Sequence, residues 1–319
     1  MRGGVDLGGT KIQAVVVDDG WQVLGQARRP TPTQGGPPTI AAEIVATLRE
    51  AAGDAGVETG QLAGAGVGSP GAVDAQAGTV EHARNLSDWE EPFPLAALLA
   101  EELGTAVVLD NDVQVAVMAE FVLGAGRPHS SLLGVWWGTG VGGGLVLDHK
   151  PWLGRGAAGE IGHMVVKRGG ARCPCGRRGC LEAYAGRAAM ESHARKLVDD
   201  GAKTALFDIM EERGRERLTS GVWARALERD DDMAVELLER AVKYLGAGIA
   251  SAVNLLDIEA VVVGGGLATR LGGEYVARIA RAMDPHLFVP ERPPSVLLAQ
   301  LGDLGGAIGA ALLVDGELG

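Results

Sequence analysis

The sequence has no long hydrophobic run, and no apolar stretch approaches the roughly 18 residues that a membrane-spanning helix needs. The sequence also has no excess of positive charge. Its formal net charge of −12 argues against non-specific binding of nucleic acid. A strand pattern begins within the first few residues, which leaves no room for a signal peptide. We therefore expect a cytoplasmic protein with neither a membrane nor a nucleic-acid partner.

A P-loop is also missing, since the chain contains no Gly-x-x-x-x-Gly-Lys-Ser/Thr stretch. Gly138, Gly140 and Gly143 do form a Gly-x-Gly-x-x-Gly pattern. A strand-like run and a turn follow it, however, where a dinucleotide-binding loop requires a helix. The same glycines fit either a plain β-hairpin or a turn whose bare N–H groups bind phosphate. The segment alone does not decide between the two.

A second copy of this pattern lies 130 residues earlier in the chain. The segment that starts at Val5 aligns with the one that starts at Val135, which places Gly8 on Gly138. Both copies read as an apolar strand, a glycine turn and a second apolar strand. Two such hairpins suggest two related α/β halves that face each other and hold phosphate between their turns.

The domain organisation follows from this repeat. A length of 319 residues, with alternating strand-like and helical patterns, is typical of an α/β protein with two domains. We expect residues 1–113 to form a small N-terminal α/β domain, completed by a C-terminal helix at about 303–319. Residues 114–302 are expected to form a larger α/β domain that contains a cysteine-rich loop.

All three cysteines of the chain, Cys173, Cys175 and Cys180, lie in this one short loop. In a cytoplasmic chain such a trio is more typical of a metal site than of a disulfide framework. Structural zinc usually takes four ligands, and His163 is the nearest histidine that could supply the fourth. The four residues either bind zinc or form a reduced cluster without metal, and we favour zinc.

Two glutamates flank the cysteine loop in sequence, Glu160 before it and Glu182 after it. If zinc holds the loop in a compact form, both carboxylates can point into one cleft, where acceptors suit a polyhydroxylated ligand. Alternatively, both could form surface ion pairs with nearby arginines, namely Arg155, Arg177 or Arg178.

Asp112 stands where an apolar strand ends and a helix begins, which is a common ligand-facing position in α/β folds. A carboxylate there can simply cap the helix. It can also accept the hydroxyl proton during phosphoryl transfer. Because two phosphate-type glycine turns accompany it, we interpret Asp112 as a general base.

Six segments of the chain together resemble the ROK (repressor, open reading frame, kinase) family, and within it the bacterial ATP-dependent glucokinases. The resemblance covers essentially the whole chain, and its most specific part is the cysteine segment with the upstream Gly-His. The segments are DLGGTK at 6–11, LDND at 109–112, GTGVGGG at 138–144, GEIGH at 159–163, CPCGRRGCLE at 173–182 and VVGGG at 262–266.

This resemblance implies an actin-like (ribonuclease H-like) α/β fold with a cleft between duplicated domains. It implies transfer of the γ-phosphoryl group of ATP, with Mg²⁺, to the 6-hydroxyl of glucose, with Asp112 as the base. The implied sugar ligands are Gly71, Asn111, Asp112, Glu160, His163 and Glu182. The implied nucleotide residues are Gly8, Gly9, Thr10, Lys11, Thr139 and Gly140 at the phosphates, Gly265 and Gly266 at the adenosine, and Asp6 near the magnesium. The implied zinc ligands are His163, Cys173, Cys175 and Cys180.

Other functions share parts of this pattern. An N-acetylmannosamine or fructose kinase of the same family would carry every segment quoted. A sugar-sensing repressor would be expected to carry an N-terminal helix-turn-helix, whereas the first strand here starts near residue 3. A sugar-binding protein without catalysis would be expected to lack the base or a phosphate turn. We expect a hexose kinase that forms a homodimer or homotetramer.

Overall fold

The computed structural model describes residues 1–83 and 85–316, so the last three residues of the predicted C-terminal helix lie outside the described residues. The strands are β1 (Arg2–Leu7), β2 (Lys11–Val17), β3 (Val23–Pro30), β4 (Ala65–Ser69), β5 (Ala72–Asp74), β6 (Thr79–Glu81), β7 (Val107–Asn111), β8 (Leu132–Trp137), β9 (Val141–Leu147), β10 (Lys150–Pro151), β11 (Ala260–Gly264) and β12 (Ser295–Leu298). The α-helices are α1 (Gly36–Asp54), α2 (Leu95–Leu103), α3 (Asp112–Val122), α4 (Glu182–Ala185), α5 (Arg187–Asp199), α6 (Leu206–Glu212), α7 (Ser220–Glu228), α8 (Asp232–Leu256), α9 (Gly265–Met283) and α10 (Gly305–Leu312).

The chain divides into two compact units. The first contains Met1–Arg127, His149–Gly156 and the chain from Gln300 onward, and the second contains Pro128–Asp148 and Ala157–Ala299. The helix α3 belongs to the first unit because it packs against α10. For this reason the division falls later in the chain than the predicted boundary at 113.

The first unit is built on a five-stranded sheet of order β3-β2-β1-β4-β7. The strands β3, β2 and β1 are antiparallel neighbours, whereas β1, β4 and β7 run parallel. The strand β2, next to the central strand β1, reads Lys-Ile-Gln-Ala-Val-Val-Val and is buried along nearly its whole length. The apolar run Ala-Val-Val-Val at its end is typical of a strand that is covered on both faces.

Two glycines of β1 show which helix covers which face of this sheet. Neighbouring residues of a strand point to opposite faces. A Cβ at Gly3 would lie 3.1 Å from the Leu48 side chain of α1, whereas one at Gly4 would collide with the backbone of α10 at Ala307. The helices α1 and α10 therefore cover opposite faces, and α10 approaches so closely that only glycine fits beneath it.

The second unit repeats the hairpin of the first at an offset of 130 residues. Adding 130 to the bounds of β1 and β2 gives those of β8 and β9, and both pairs are antiparallel. Four strands of its sheet follow the order β9-β8-β11-β12, in which β8, β11 and β12 run parallel. This pattern of one antiparallel and two parallel neighbours matches β2-β1-β4-β7. The strand predicted after the Gly138 turn is confirmed.

The core of the second unit lies between this sheet and the long helices. The helices α8 and α9 pack against each other, and α9 also contacts β8, β11 and β12. Trp137, Trp223 and Ile249 are fully buried in this core. Among the described residues, no helix combines the length and apolar character needed to cross a membrane.

Candidate functional site

The first predicted phosphate turn, Gly8–Thr10, joins β1 to β2. It is closed by the amide of Gly8, which donates to the carbonyl of Lys11 at 3.0 Å. The chain after β3 supports it from the side: the hydroxyl of Thr31 donates to the Gly8 carbonyl at 2.6 Å, and the Thr31 amide donates to the carbonyl of Thr10 at 3.1 Å. Gly9 and Thr10 themselves are exposed, so their backbone can meet a ligand.

Asp6 lies near the end of β1, just before this turn. Burial raises the pKa of its carboxyl to about 6, although the nearby Lys11 ammonium acts to lower it and Asp303 to raise it. Lys11 lies 3.6 Å from a carboxylate oxygen of Asp303. A Cβ at Gly306 would lie 2.8 Å from the Asp6 carboxyl, which shows that the start of α10 closes over this group.

The parallel strands β4 and β7 bring further predicted residues to one edge of the first sheet. Ser69, the last residue of β4, is the register partner of Asn111, the last residue of β7. Gly71 follows β4 with a positive φ of 96°, and Asp112 follows β7. Carboxyl ends of neighbouring parallel strands are where α/β folds bind ligands. The structure therefore brings Gly71, Asn111 and Asp112 together at one edge of the sheet.

Asn111, and not Asp112, caps the helix α3. The Asn111 side chain accepts hydrogen bonds from the amides of Val113 at 3.0 Å and Gln114 at 3.2 Å. Asp112 is the first helical residue, and one of its carboxylate oxygens accepts from the Val113 amide at 2.9 Å. The alternative that Asp112 is the helix cap is therefore wrong. Because the side-chain oxygen of Asn111 accepts these two bonds, its NH₂ group is the part of the side chain that can donate to a further partner.

The second glycine turn, Gly138–Gly140, joins β8 to β9 and contacts a predicted sugar ligand. The amide of Val141, just after the turn, donates to Oε2 of Glu182 at 3.0 Å. A Cβ at Gly140 would collide with this same carboxylate. Gly140 therefore allows an acidic side chain to lie directly against a phosphate-type turn, and Thr139 is exposed at the tip of the turn.

The predicted adenosine residues Gly265 and Gly266 open the helix α9, directly after β11. Gly265 has a φ of 87°, and a Cβ there would lie 2.8 Å from the backbone of Trp137. A Cβ at Gly138 would lie 3.9 Å from the amide nitrogen of Gly266. The second glycine turn and the N-terminus of α9 are thus neighbours within one unit. Free amides at a helix N-terminus favour an anion in such a place.

His163 and the three cysteines converge as predicted. One ligand atom from each of His163, Cys173, Cys175 and Cys180 lies within 4.8 Å of the others. The sulfurs of Cys175 and Cys180 are 3.7 Å apart, and Nδ1 of His163 lies 3.8 Å from the Cys173 sulfur. Two sulfurs that each lie ~2.3 Å from a tetrahedral zinc are separated by ~3.8 Å. The cluster therefore has the donor set and spacing of a structural zinc site.

The local electrostatics of the cluster differ from one thiol to the next. Burial raises the pKa of Cys173 to about 12. Burial also acts to raise the pKa of Cys175, but hydrogen bonds from the Arg177 side chain and amide, together with those from Cys173 and Cys180, bring this pKa down to about 6. A bound zinc ion would stabilise all three thiolates.

The cysteine loop is attached to the rest of its unit through Tyr184. Its hydroxyl accepts a hydrogen bond from the amide of Ala171 at 2.7 Å. Its ring stacks on Tyr244 of α8, with centroids 4.0 Å apart and an interplanar angle of 22°. These contacts fix the first turn of α4, which carries Glu182, relative to the cysteines: Oε1 of Glu182 lies 3.7 Å from the Cys173 sulfur.

His163 ends the short 3₁₀ helix Ile161–His163, and Glu160 directly precedes this helix. Nε2 of His163 is 3.9 Å from a carboxylate oxygen of Glu160, while Nδ1 points to the cysteines. Among residues 1–83 and 85–316, neither Glu160 nor Glu182 forms an ion pair with an arginine. The alternative of surface ion pairs is therefore wrong for the part of the chain that the structure describes.

Sequence reasoning missed two acidic residues near these sites. Asp303 lies beside Lys11, and Asp110 on β7 has a carboxyl pKa that burial raises. Asp303 belongs to a Gly-Asp-Leu-Gly stretch before the final helix, a turn pattern that could have drawn attention to it. Asp110 stands in the LDND segment at 109–112, directly before Asn111 and Asp112.

Comparison with known proteins gives matches over nearly the whole chain. The ROK family model matches residues 2–317. A glucokinase of Halalkalibacterium halodurans is 32% identical over 98% of this chain and 94% of its own length. An N-acetylgalactosamine kinase of Shewanella sp. is 32% identical over 98% of this chain and 96% of its own. A ROK family glucokinase from Streptomyces griseus, solved in complex with glucose and AMPPNP, has a TM-score of 0.84 and 33% identity, with 98% of each chain covered.

The two duplicated units and these structural neighbours define an α/β protein with the actin-like two-domain fold of ROK sugar kinases. Within that class, the match over residues 2–317 shows that the chain belongs to the ROK family. The fold and the family that the sequence predicted are both confirmed.

Proposed function

We propose that this protein is a sugar kinase that transfers the γ-phosphoryl group of ATP to the 6-hydroxyl of glucose. The observation that carries the proposal is the position of Glu182, whose carboxylate meets the amide of Val141 beside the second glycine turn. A group suited to sugar hydroxyls therefore adjoins a turn suited to phosphate. The glucokinase relatives support the same assignment.

Each unit offers hydrogen-bonding groups that suit a sugar. In the second unit, Glu160, His163 and Glu182 lie around the cysteine cluster. In the first unit, Gly71 and Asn111 lie at one edge of the sheet. With zinc on Nδ1 of His163, its Nε2 would carry the proton and donate to a sugar oxygen, since each nitrogen of a neutral imidazole has one role.

Asp112 would take the proton from the attacking hydroxyl. Its carboxylate is not needed as the cap of α3, because the side chain of Asn111 fills that position. It stands at the carboxyl end of β7, where α/β folds present catalytic side chains. Phosphoryl transfer requires such a carboxylate near the nucleophile, and a lost general base typically costs about 10²-fold or more.

The glycine turn of each unit offers backbone groups that suit the phosphates of ATP. The exposed Gly9 and Thr10, with Lys11, suit the phosphates in the first unit. In the second, the phosphates would meet Thr139 and Gly140, and the adenosine would lie towards Gly265 and Gly266 at the start of α9. Magnesium would neutralise charge on the phosphates, and the Asp6 carboxyl near the end of β1 is the oxygen donor we assign near it.

A kinase for a 2-acetamido sugar is the second candidate. It is favoured by the N-acetylgalactosamine kinase relative, whose identity of 32% equals that of the H. halodurans glucokinase. N-acetylmannosamine belongs to the same chemical class. A purely sugar-sensing regulator is disfavoured because Asp112, the proposed base, and both glycine turns are present.

The test is a coupled assay with ATP and Mg²⁺ across glucose, mannose, fructose, N-acetylglucosamine, N-acetylgalactosamine and N-acetylmannosamine. We expect kcat/KM to be highest for glucose, because a pocket built to bind a hydroxyl loses about tenfold or more with an analogue that cannot pair with it. A tenfold preference for another sugar would overturn the assignment of glucose as the substrate but leave the assignment as a kinase intact. Absence of transfer to every sugar would overturn the proposed activity.

A further inference from the structure

Arg187, the first residue of α5, makes contacts to the second glycine turn that the proposed function leaves unused. Its amide donates to the carbonyl of Gly138 at 3.1 Å, and the amide of Ala188 donates to the carbonyl of Thr139 at 3.0 Å. Its guanidinium also donates from Nη2 to the hydroxyl oxygen of Thr139 at 2.7 Å. The start of α5 thus holds both the backbone and the side chain of the turn.

The bond to Thr139 has a chemical consequence for a phosphate ligand. A hydroxyl group has one donor proton and two acceptor positions. When the oxygen accepts from a cationic guanidinium, its proton is the group left for a further partner, and that proton becomes a stronger donor. Because Thr139 is exposed at the tip of the turn, an anionic oxygen is the partner that this hydroxyl suits best.

The guanidinium of Arg187 is itself held in place. Its Nη1 donates to the carbonyl of Leu218 at 2.7 Å, and the Leu218 amide donates to the carboxylate of Glu191 at 3.0 Å. The Glu191 side chain is only 4% exposed and also pairs with Arg195 and Arg217. This network fixes the Leu218 carbonyl, which in turn fixes the direction in which Arg187 reaches Thr139.

The electrostatic surroundings of Arg187 fit this role. Burial lowers the pKa of its guanidinium, the Glu191 carboxylate acts to raise it, and Arg217 acts to lower it. Its Nε is buried and has no hydrogen-bond partner among the described residues. A buried polar atom without a partner is uncommon in folded proteins, so the placement of this arginine beside the glycine turn calls for an explanation.

We propose that Arg187 is a positioning residue of the phosphate site, which orients and polarises the Thr139 hydroxyl towards the phosphate oxygens of the bound nucleotide. It acts through Thr139 and does not itself touch the nucleotide. This inference rests on the proposed function, because it assumes that the turn receives the phosphates of ATP.

The experiment is a double-mutant cycle of Arg187→Met and Thr139→Val, with KM for ATP, KM for the sugar and kcat measured for each enzyme. We expect each single variant to raise KM for ATP about tenfold, as for loss of a charge-assisted hydrogen bond, and KM for the sugar less than about twofold. The double variant should have the same KM for ATP as Thr139→Val alone, because Arg187 acts on the phosphate only through Thr139.

Three further variants separate this role from a structural one. Thr139→Ser keeps the hydroxyl and should retain a KM for ATP near that of the wild type. Arg187→Lys keeps a positive charge at the site, and its KM for ATP should lie between those of the wild type and Arg187→Met. Arg225→Met is the matched control, because Arg225 lies in the same unit and binds Glu228, outside the network of Glu191 and Arg187. It should leave both KM values unchanged.

The outcomes distinguish the alternatives. If Arg187→Met adds a further tenfold to KM for ATP in the Thr139→Val background, the guanidinium contacts the nucleotide directly and the proposal is wrong. If both KM values rise equally, or if only the melting temperature falls, Arg187 is structural and the proposal is also wrong. A wild-type enzyme with no ATP-dependent transfer to any sugar would overturn the proposed function, and this inference with it.

Discussion

Asp6 and Asp110 lie in the same register row of the first sheet, one on each side of Gly68. Asp6 pairs with Gly68 between β1 and β4, and Gly68 pairs with Asp110 between β4 and β7. Side chains in one row of parallel strands share a face of the sheet. Burial raises the pKa of both carboxyls, so the row holds two acids in surroundings that disfavour their charged forms. Such perturbed acids are more frequent at functional sites than elsewhere.

The charge on Asp6 should cost stability at neutral pH. Its pKa is about 6 in the folded chain against a usual 3.8, so folding favours the neutral acid. The stability that the neutral Asp6 contributes is fully present below pH 3.8, the usual pKa of an aspartate. It is lost as the pH rises through about 6. We expect Asp6→Asn to be more stable than wild type by about 1 to 3 kcal/mol at pH 7, with the difference vanishing near pH 3.5. Urea unfolding at both pH values measures this.

The matched control for this comparison is Asp19→Asn, at a side chain that is 88% exposed. It should change stability by less than about 0.5 kcal/mol at either pH, as surface substitutions usually do. The Asp6 variant should also lose phosphoryl transfer, because the carboxylate assigned to magnesium is gone. An Asp6→Asn protein that is less stable than wild type at pH 7 would show that the Asp6 charge is favourable in the fold.

Asp112→Asn should separate catalysis from folding. The asparagine side chain keeps an oxygen for the Val113 amide, and the cap of α3 comes from Asn111, so the melting temperature should change little. The loss of a base should lower kcat by about 10² or more while sugar binding is largely retained. Steady-state kinetics and calorimetric titration with glucose check the two parts.

Asn111→Ala measures the contribution of the helix cap to stability. It removes the acceptor for the amides of Val113 and Gln114, and loss of such a cap typically costs about 1 kcal/mol. If Asp112→Asn instead loses stability and keeps near-normal turnover, Asp112 supports the helix and another group is the base.

The sequence was sufficient to predict the duplicated hairpins. Their glycine turns and apolar strands are local patterns, and β1 and β8 begin and end at equivalent positions. The four-residue metal cluster could also be predicted, because only one histidine lies close to the cysteine loop and the chemistry needs a fourth ligand.

Contacts between distant parts of the chain could not be predicted in the same way. The assignment of Asn111 rather than Asp112 as the helix cap depends on backbone angles that either residue could have adopted. The bond between Glu182 and the Val141 amide joins residues 41 positions apart, and the Lys11–Asp303 contact joins opposite ends of the chain. Such pairs depend on how strands and helices pack, about which periodicity says nothing.

Removal of the metal should affect stability and sugar binding together. We expect freshly purified protein to contain about one zinc per chain by elemental analysis, and Cys175→Ser to lose it. Because the cluster also positions Glu160 and Glu182, this variant should melt about 10 °C lower and bind sugar about tenfold more weakly. His193→Gln, at a histidine outside the cluster, is the control and should keep its zinc. A wild-type content below about one zinc per ten chains would contradict the assignment.

The negative charge of Glu182 should matter for sugar binding, whereas its hydrogen bond to the Val141 amide should matter for stability. In Glu182→Gln an amide oxygen can still accept from the Val141 amide, so the melting temperature should stay within about 2 °C of wild type. The negative charge and one acceptor are lost, which should raise KM for the sugar about tenfold and KM for ATP less. Glu182→Ala also leaves the Val141 amide without its partner and should be less stable by about 1 to 3 kcal/mol. Kinetics and thermal unfolding of both variants decide the question: an unchanged sugar KM in Glu182→Gln would mean that this carboxylate serves the glycine turn and not the sugar.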